Sequence, residues 1–286
     1  MAKRKRHTNI IKQEPQGIKI SASLVDVIIP VHQRFDLLAK CLNALPEAFG
    51  DISYRVIIID NGSPKEQADN FYSDLPSNIK VIRNNENLGF PRACNKAFER
   101  GYSPLVFFLN DDVILHAGCM EKLVTALNDP KVGIVGMKLI FPDETDLPHD
   151  VNQRPAGKVQ HVGLSTSIRA EIFHQFIGWS VDHPKVNAMR NVYGVTGAAM
   201  LTRHTLFSKA GKFYEGYGQG CYEDIDFCMS VRQLGYNILV VPEATGIHYT
   251  GATATTYNIA FPLNENRMIF MQRWQKFLDW SEVWCW

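Results

Sequence analysis

Residues 105–112 read Leu-Val-Phe-Phe-Leu-Asn-Asp-Asp, an apolar run that stops abruptly at a pair of carboxylates. A short unbroken apolar run bounded by turn residues has the signature of a strand buried on both faces. In an open α/β sheet, ligands bind in the crevice beyond the carboxyl ends of such strands. Mg²⁺ is usually held by one or two carboxylates plus the phosphates of a substrate. Asp111 and Asp112 therefore stand where a divalent cation and a phosphorylated ligand can meet. A polar turn or helix cap would use the same residue types, so the rest of the chain has to decide.

Working outward toward the N-terminus, apolar strands alternate with amphipathic helices. Strands are predicted over Leu24–Val31, Arg55–Ile59 and Ile79–Arg83. Helices are predicted over Arg34–Leu45, with Leu37, Leu38, Cys41, Leu42 and Leu45 at helical spacing, over Lys65–Leu75, and from a cap at Asn87 to about Arg100. Alternation of this kind builds βαβ units. The expected fold is α/β, with a Rossmann-like, mostly parallel sheet flanked by helices. Toward the C-terminus the pattern loosens. A helix is expected over Gly118–Leu127, strands over Val132–Met137, Val192–Thr202 and Asn237–Val241, and helices over Glu223–Leu234 and Pro262–Leu278. Residues 142–158 carry Pro, Asp and His without periodicity, and a loop that long in a compact domain is functional or disordered.

A chain of 286 residues can form one large α/β unit. Its net charge of +1 gives no global attraction to nucleic acid or anionic membrane. Basic charge is local, in Lys3-Arg4-Lys5-Arg6, and residues 1–22 read as a flexible tail. No apolar segment follows that resembles a signal peptide, and none is long enough to cross a bilayer. The six cysteines lack paired metal-ligand spacing and suit buried thiols, so a cytoplasmic location is expected.

Three further features fit the same chemistry. Asp60 ends the second strand, where a carboxylate can accept from a base or ribose, although Asp60-Asn61-Gly62-Ser63 is also a strong turn string. Glu223-Asp224-Ile225-Asp226 opens a helix after Gly216-Tyr217-Gly218-Gln219-Gly220. Acidic first turns are favoured by the helix dipole alone, but the glycines permit close approach of backbone to ligand. His248 follows a strand and can supply a nitrogen ligand to the cation at Asp112; an imidazole tilts such a site toward Mn²⁺.

In order, VDVIIPVHQR, IIIDNGS, NLGFPRACN, FFLNDDV, VTGAAMLTR, YEDIDF and IHYTG resemble a family 2 glycosyltransferase of the GT-A fold, within it most closely the rhamnosyltransferase-like branch. The resemblance covers residues 24 to about 251. It implies a metal-dependent, inverting enzyme that moves a sugar from a UDP-, dTDP- or GDP-linked donor to a carbohydrate or other hydroxyl acceptor, with Mn²⁺ or Mg²⁺ as cofactor. Pro30, Val31 and Arg34 would line the nucleotide pocket, with Asp60 on the base or ribose. Asn87, Gly89 and Arg92 would border the diphosphate and sugar. Asn110-Asp111-Asp112 matches the DxD element, with Asn in place of its first Asp. Asp112 would ligate the metal, and Asp111 would lie nearer the ribose or sugar. Gly197 and Ala198 would sit under the donor sugar. Asp224 matches the catalytic base, with Glu223 beside it as the alternative, and His248 matches a metal-coordinating histidine of some members.

The resemblance divides a single domain, 23–261, into a nucleotide-binding half of about 24–112 and a smaller acceptor half of about 113–251. A sugar-nucleotide pyrophosphorylase would favour a glycine-rich basic loop after the first strand, and Val31-His32-Gln33-Arg34 has no glycine. A non-catalytic nucleotide-sugar or carbohydrate-binding protein on the same fold, or transfer to a nucleic-acid acceptor, are the remaining alternatives. Residues 262–286 hold Trp274, Trp280, Trp284 and Trp286 beside Arg273 and Lys276. Such a segment either packs its aromatics on the domain or a second subunit, or rests at a membrane interface.

Overall fold

A computed structural model of the protein describes residues 25–143, 155–167, 171–251 and 260–277. The basic tail, most of the 142–158 loop, Leu278 and Trp280, Trp284 and Trp286 lie outside the described residues.

The chain runs β1 (Val25–Val31), α1 (Phe35–Phe49), β2 (Tyr54–Asn61), α2 (Lys65–Ser73), β3 (Ile79–Asn84), α3 (Phe90–Phe98), β4 (Leu105–Leu109) and β5 (Val113–Leu115). It continues through α4 (Cys119–Leu127), β6 (Val132–Ile140), β7 (Val159–His161), β8 (Leu164–Thr166), β9 (Ile172–His174) and β10 (Arg190–Asn191). It closes with β11 (Ala199–Arg203), α5 (His204–Lys209), α6 (Glu223–Gln233), β12 (Asn237–His248) and α7 (Leu263–Trp274). The main sheet has the order β10-β12-β6-β11-β4-β1-β2-β3. Strands β4, β1, β2 and β3 are parallel, as are β6 and β12. Strand β11 runs antiparallel between β4 and β6.

The uniform apolar runs are explained by burial on both sheet faces. On β4, Phe107 packs with Val27, Ile29, Leu38, Leu45 and Leu123, under α1 and α4. Its neighbour Phe108 faces the other way, into a core with Ile28, Ala93, Phe98, Phe207 and Phe227 under α3 and α6. Successive strand residues point to opposite faces, so both must be apolar. Phe108 sits 4.7 Å from the ring centroids of both Phe207 and Phe213.

Several sequence-based boundaries need correction, among them α3, whose N-cap residue is Gly89 and not Asn87. The strand expected over Val192–Thr202 begins only at Ala199, and the stretch before it is irregular. Val192 and Gly194 make single backbone bonds, to Ile238 and from Leu164, and the next amides turn to side chains: Thr196 to His161 and Gly197 to Asp224. Strand β12 extends past Val241 to His248, carried through Pro242 by a register shift between Val241 and Thr245, the kind of irregularity at which a strand tolerates proline. His248 is thus the last residue of β12. The final helix is α7, with Pro262 as its N-cap residue.

Helix α7 is fastened to its own domain. Asp226, 1% exposed, accepts from Tyr217 Oη (2.9 Å), Trp274 Nε1 (2.6 Å) and Arg273 Nε (2.6 Å). Phe270 and Trp274 are buried in the core beside α6. No helix among the described residues is long and apolar enough to cross a membrane.

Candidate active site

The ends of β1, β2, β4 and β12, the approach to β11 and the start of α6 converge on one cleft. Asp111 lines it, and Asp112 lies buried beside it. Asp111 accepts from the His32 amide, and the Arg34 guanidinium stabilises its charge. Burial and the neighbouring Asp112 prevail, and its carboxyl is held well above the usual range. Arg34 itself grips Asp36 at 2.9 and 2.7 Å.

Asp112 Oδ1 and His248 Nε2 stand 3.3 Å apart, and both side chains are buried. The strands enforce the pairing: Val113 is in register with His248, and the Tyr249 amide donates to the Asp112 carbonyl at 3.0 Å. On its other side His248 Nδ1 lies 3.1 Å from Gln160 Oε1. An amide oxygen only accepts, so Nδ1 carries the proton and Nε2 presents a bare lone pair toward Asp112. Asp112 Oδ1, Asp111 Oδ2 and Asn110 Oδ1 are buried without a hydrogen-bond partner. A buried oxygen left unpaired is costly. Two ligand atoms turned toward each other, with an outer partner orienting the imidazole, fit a divalent cation. No group of three or more His, Cys, Asp or Glu that could hold a metal occurs among the described residues. A two-residue set suits a cation that completes its shell with substrate phosphates.

Across the cleft, Asp224 is pinned by two amides, Gly197 N–H to Oδ2 at 3.1 Å and Ile225 N–H to Oδ1 at 2.7 Å. Burial raises its pKa above 3.8, opposed by these same amides and by the Thr196 hydroxyl. Glu223 is buried, and burial together with the Asp224 charge pushes its carboxyl well up. Its Oε2 has no partner. Both Asp224 oxygens are thus held by backbone amides, whereas Glu223 Oε2 is held by none. The turn into α6 puts two consecutive non-glycine residues, Cys221 (φ 71°) and Tyr222 (φ 79°), in the left-handed region. Such residues cost about 1–3 kcal/mol each and cluster at functional sites. Asn266 of α7 holds the turn, donating to the carbonyls of Gly220 (2.8 Å) and Cys221 (3.0 Å).

The cleft has two compartments that share Phe90, Asn110, Gln219 and Phe261. Pro30, Val31, Asn87 and Asp111 line the smaller, with His32 and Asn61. Gly197, Ala198, Glu223 and Asp224 line the larger, of about 370 Å³, with Thr196, His174 and Tyr222. Six expected residues line neither compartment: Arg34, Asp60, Gly89, Arg92, Asp112 and His248. Asp60 is fully buried behind the wall, with one oxygen held by Arg83 (2.9 Å) and the other by the Ser63 amide (2.9 Å). Its neighbour Asn61 reaches the pocket instead. Arg92 is exposed, pairs with Glu215 at 3.6 Å and faces a separate groove with Lys96 and Lys212. Gly89 (φ 82°) is a packing residue, because a Cβ there would lie 1.9 Å from the Gly218 carbonyl oxygen.

Several contributors carry no sequence signal. Asn61 Nδ2 donates to Asn87 Oδ1 (2.7 Å), while Asn61 Oδ1 accepts from Asn84 (3.0 Å) and the Leu88 amide (3.0 Å). This network fixes the wall of the smaller compartment. Only its placement after β2 and β3 could have hinted at it. Gln160, which orients His248, sits on a three-residue strand too short to show a period.

Residues 26–191 match the family model Glycosyl transferase family 2. The chain is 24% identical over 239 residues to the O-antigen biosynthesis protein RfbC of Myxococcus xanthus, a match covering 80% of this chain and 17% of that protein. It spans 25% or less of the length of the curated relatives that match most of it. Among solved structures, GalNAc-T7 with UDP, GalNAc and Mn²⁺ superimposes with a TM-score of 0.65 at 14% identity, over 88% of this chain and 48% of that one. The mannosyltransferase PcManGT from Pyrobaculum calidifontis, in complex with GDP-Man and Mn²⁺, gives 0.53 at 14% identity, over 94% and 80%. At those identities the likeness speaks for the fold, a GT-A-type α/β sheet. The family model spans more than half of the chain, including both carboxylates at the end of β4, and the protein belongs to glycosyl transferase family 2.

Proposed function

We propose that this protein transfers a sugar from a nucleotide diphosphate sugar to an acceptor hydroxyl by a single displacement with inversion, in polysaccharide or glycoconjugate synthesis. The observation that carries the reading is a bare Asp112–His248 ligand set, next in the chain to the Asp111 that lines the smaller compartment, together with an Asp224 pinned by amides on the larger. The motif order favours the rhamnosyltransferase-like branch, hence a hexosyl or deoxyhexosyl donor. The nucleotide would occupy the compartment of Pro30, Val31 and Asp111, and the sugar would reach over Gly197 and Ala198 toward Asp224.

Asp112 and His248 would hold Mn²⁺ or Mg²⁺, which when bound supplies positive charge to the departing diphosphate. The acceptor oxygen forms a bond to the anomeric carbon as the bond from that carbon to the diphosphate oxygen breaks. The bonding pair leaves with the diphosphate. The acceptor proton passes to Asp224, whose amide bonds hold the carboxylate in place without using all its lone pairs. General base action of this kind contributes ~10²–10⁴-fold. UDP- and GDP-linked neighbours support a nucleotide sugar donor, and dTDP-linked sugars belong in the same panel. The test is hydrolysis of UDP-, dTDP- and GDP-sugars with Mn²⁺ and no acceptor. Release of the nucleotide diphosphate that stops on adding EDTA is expected; release unchanged by EDTA would sink the metal-dependent reading.

A further inference from the structure

His161 and His174, which the displacement does not use, continue the polar chain behind His248 and Gln160, and its polarity can be read from its ends. His161 is fully buried, and its Nε2 lies 3.3 Å from the Gly163 amide nitrogen and 3.4 Å from that of Thr196. Backbone N–H groups only donate, so Nε2 is the acceptor and the ring's proton sits on Nδ1. That proton meets His174 Nδ1 at 2.8 Å. The Gln160 amide nitrogen approaches the same atom at 3.4 Å, while Gln160 Oε1 faces His248. His174 Nδ1 is thereby an acceptor, and the His174 proton is confined to Nε2. Burial holds both rings neutral, His161 well below the usual imidazole range and His174 down to about 4.

His174 shares a face of β9 with Ile172, and both line the larger compartment beside Thr196, Gly197 and Asp224. Its Nδ1 edge is turned to His161 and Gln160, so the Nε2–H edge is the one left for the cleft. Phe90, Tyr222 and Phe261 supply the flat apolar wall that suits a sugar ring. We propose that the His174 Nε2–H is a fixed neutral donor that reads an oxygen of the sugar in this compartment, its tautomer imposed through His161 by the amides of Gly163 and Thr196. A neutral donor suits a hydroxyl or an acetamido carbonyl. The proposal rests on the reading of the cleft as a glycosyl-transfer site.

The test uses full-length protein with ¹⁵N-labelled histidine, His174 being assigned by its loss in His174→Phe. Glucose, galactose, mannose, rhamnose and the N-acetylhexosamines are titrated in the presence of UDP and Mg²⁺. His174 is expected as the Nε2–H tautomer, and its Nε2 signal is expected to move with at least one sugar. In donor hydrolysis, His174→Phe should raise KM for the nucleotide sugar roughly tenfold, the size of one neutral hydrogen bond, with kcat within a few-fold. His174→Gln, which keeps an N–H, should recover most of it. An Nδ1–H tautomer, or an Nε2 signal unmoved by every sugar of the panel, overturns the inference while wild-type hydrolysis leaves the transferase reading standing. Absence of wild-type hydrolysis removes both.

Discussion

Asp224 and its neighbours Glu223 and Asp226 are three carboxylates within one helical turn, and their surroundings give them different work. Asp226 is consumed by Tyr217, Arg273 and Trp274, and burial with the neighbouring Asp224 pushes the Glu223 carboxyl well up. Asp224 lines the larger compartment with both oxygens held by backbone amides. Asp224→Asn preserves shape and should lower transfer by ~10²–10⁴-fold, with nucleotide affinity near wild type by calorimetry. Transfer within a few-fold of wild type would move the base role to Glu223. Because the base must be ionised, kcat/KM should fall as pH drops, and burial places that acid limb above the 3.8 of an ordinary aspartate. A pH–rate profile checks this. For the cation, Asp112→Ala and His248→Ala should each weaken Mn²⁺-dependent binding of the nucleotide diphosphate, Asp112→Ala the more. Equal binding by wild type with and without Mn²⁺ would count against both assignments.

At the scale of elements, the turn 215–222 is clamped from two sides. Gly89 and Gly218 touch backbone to backbone, with the Phe90 amide donating to the Gln219 carbonyl at 3.1 Å. From the other side α7 supplies Asn266 and, through Asp226, anchors α6. Asp226→Asn leaves Arg273 without its counter-charge. Breaking a buried pair costs about 3–5 kcal/mol, and Arg273, one-third exposed, puts this case at the lower end. Urea denaturation should show the loss, and a ΔG within 1 kcal/mol of wild type would contradict it. The elements up to Asp112 were legible because strands buried on both faces must be apolar throughout, and Phe107 and Phe108 show why. Residues 192–198 misled, since Val192, Tyr193 and Val195 look extended while their neighbours spend backbone bonds on Asp224 and His161. Asp60 misled too, because its place after β2 is also where Arg83 can reach it. His174 and Gln160, on strands of three residues, left no pattern to read.

For the molecule as a whole, the C-terminal aromatics divide. Trp274 is core, with its Nε1–H committed to Asp226, and cannot double as a membrane contact. A chain ending at Phe261 should therefore melt well below the full-length protein, whereas one ending at Phe277 should keep its thermal stability. Flotation with anionic vesicles, compared between full-length protein and the Phe277-terminated chain, reports separately on the residues beyond. Equal flotation is expected. Stronger flotation of the full-length chain would assign those residues to a lipid surface.

The placement of β12 also has a consequence in time. His248 closes the last strand, and it meets Asp112 only when that strand slots in between β6 and β10 and lays its end along β5. Contacts so distant along the chain form late, since loop-closure entropy precedes their reward. A growing polypeptide released from the ribosome up to β11 would already own Asp111 and Asp112, yet it would lack His248 to complete the pair. On the proposed reading, competence to hold a cation therefore arrives only once β12 has emerged, after the nucleotide-facing strands have had time to pair.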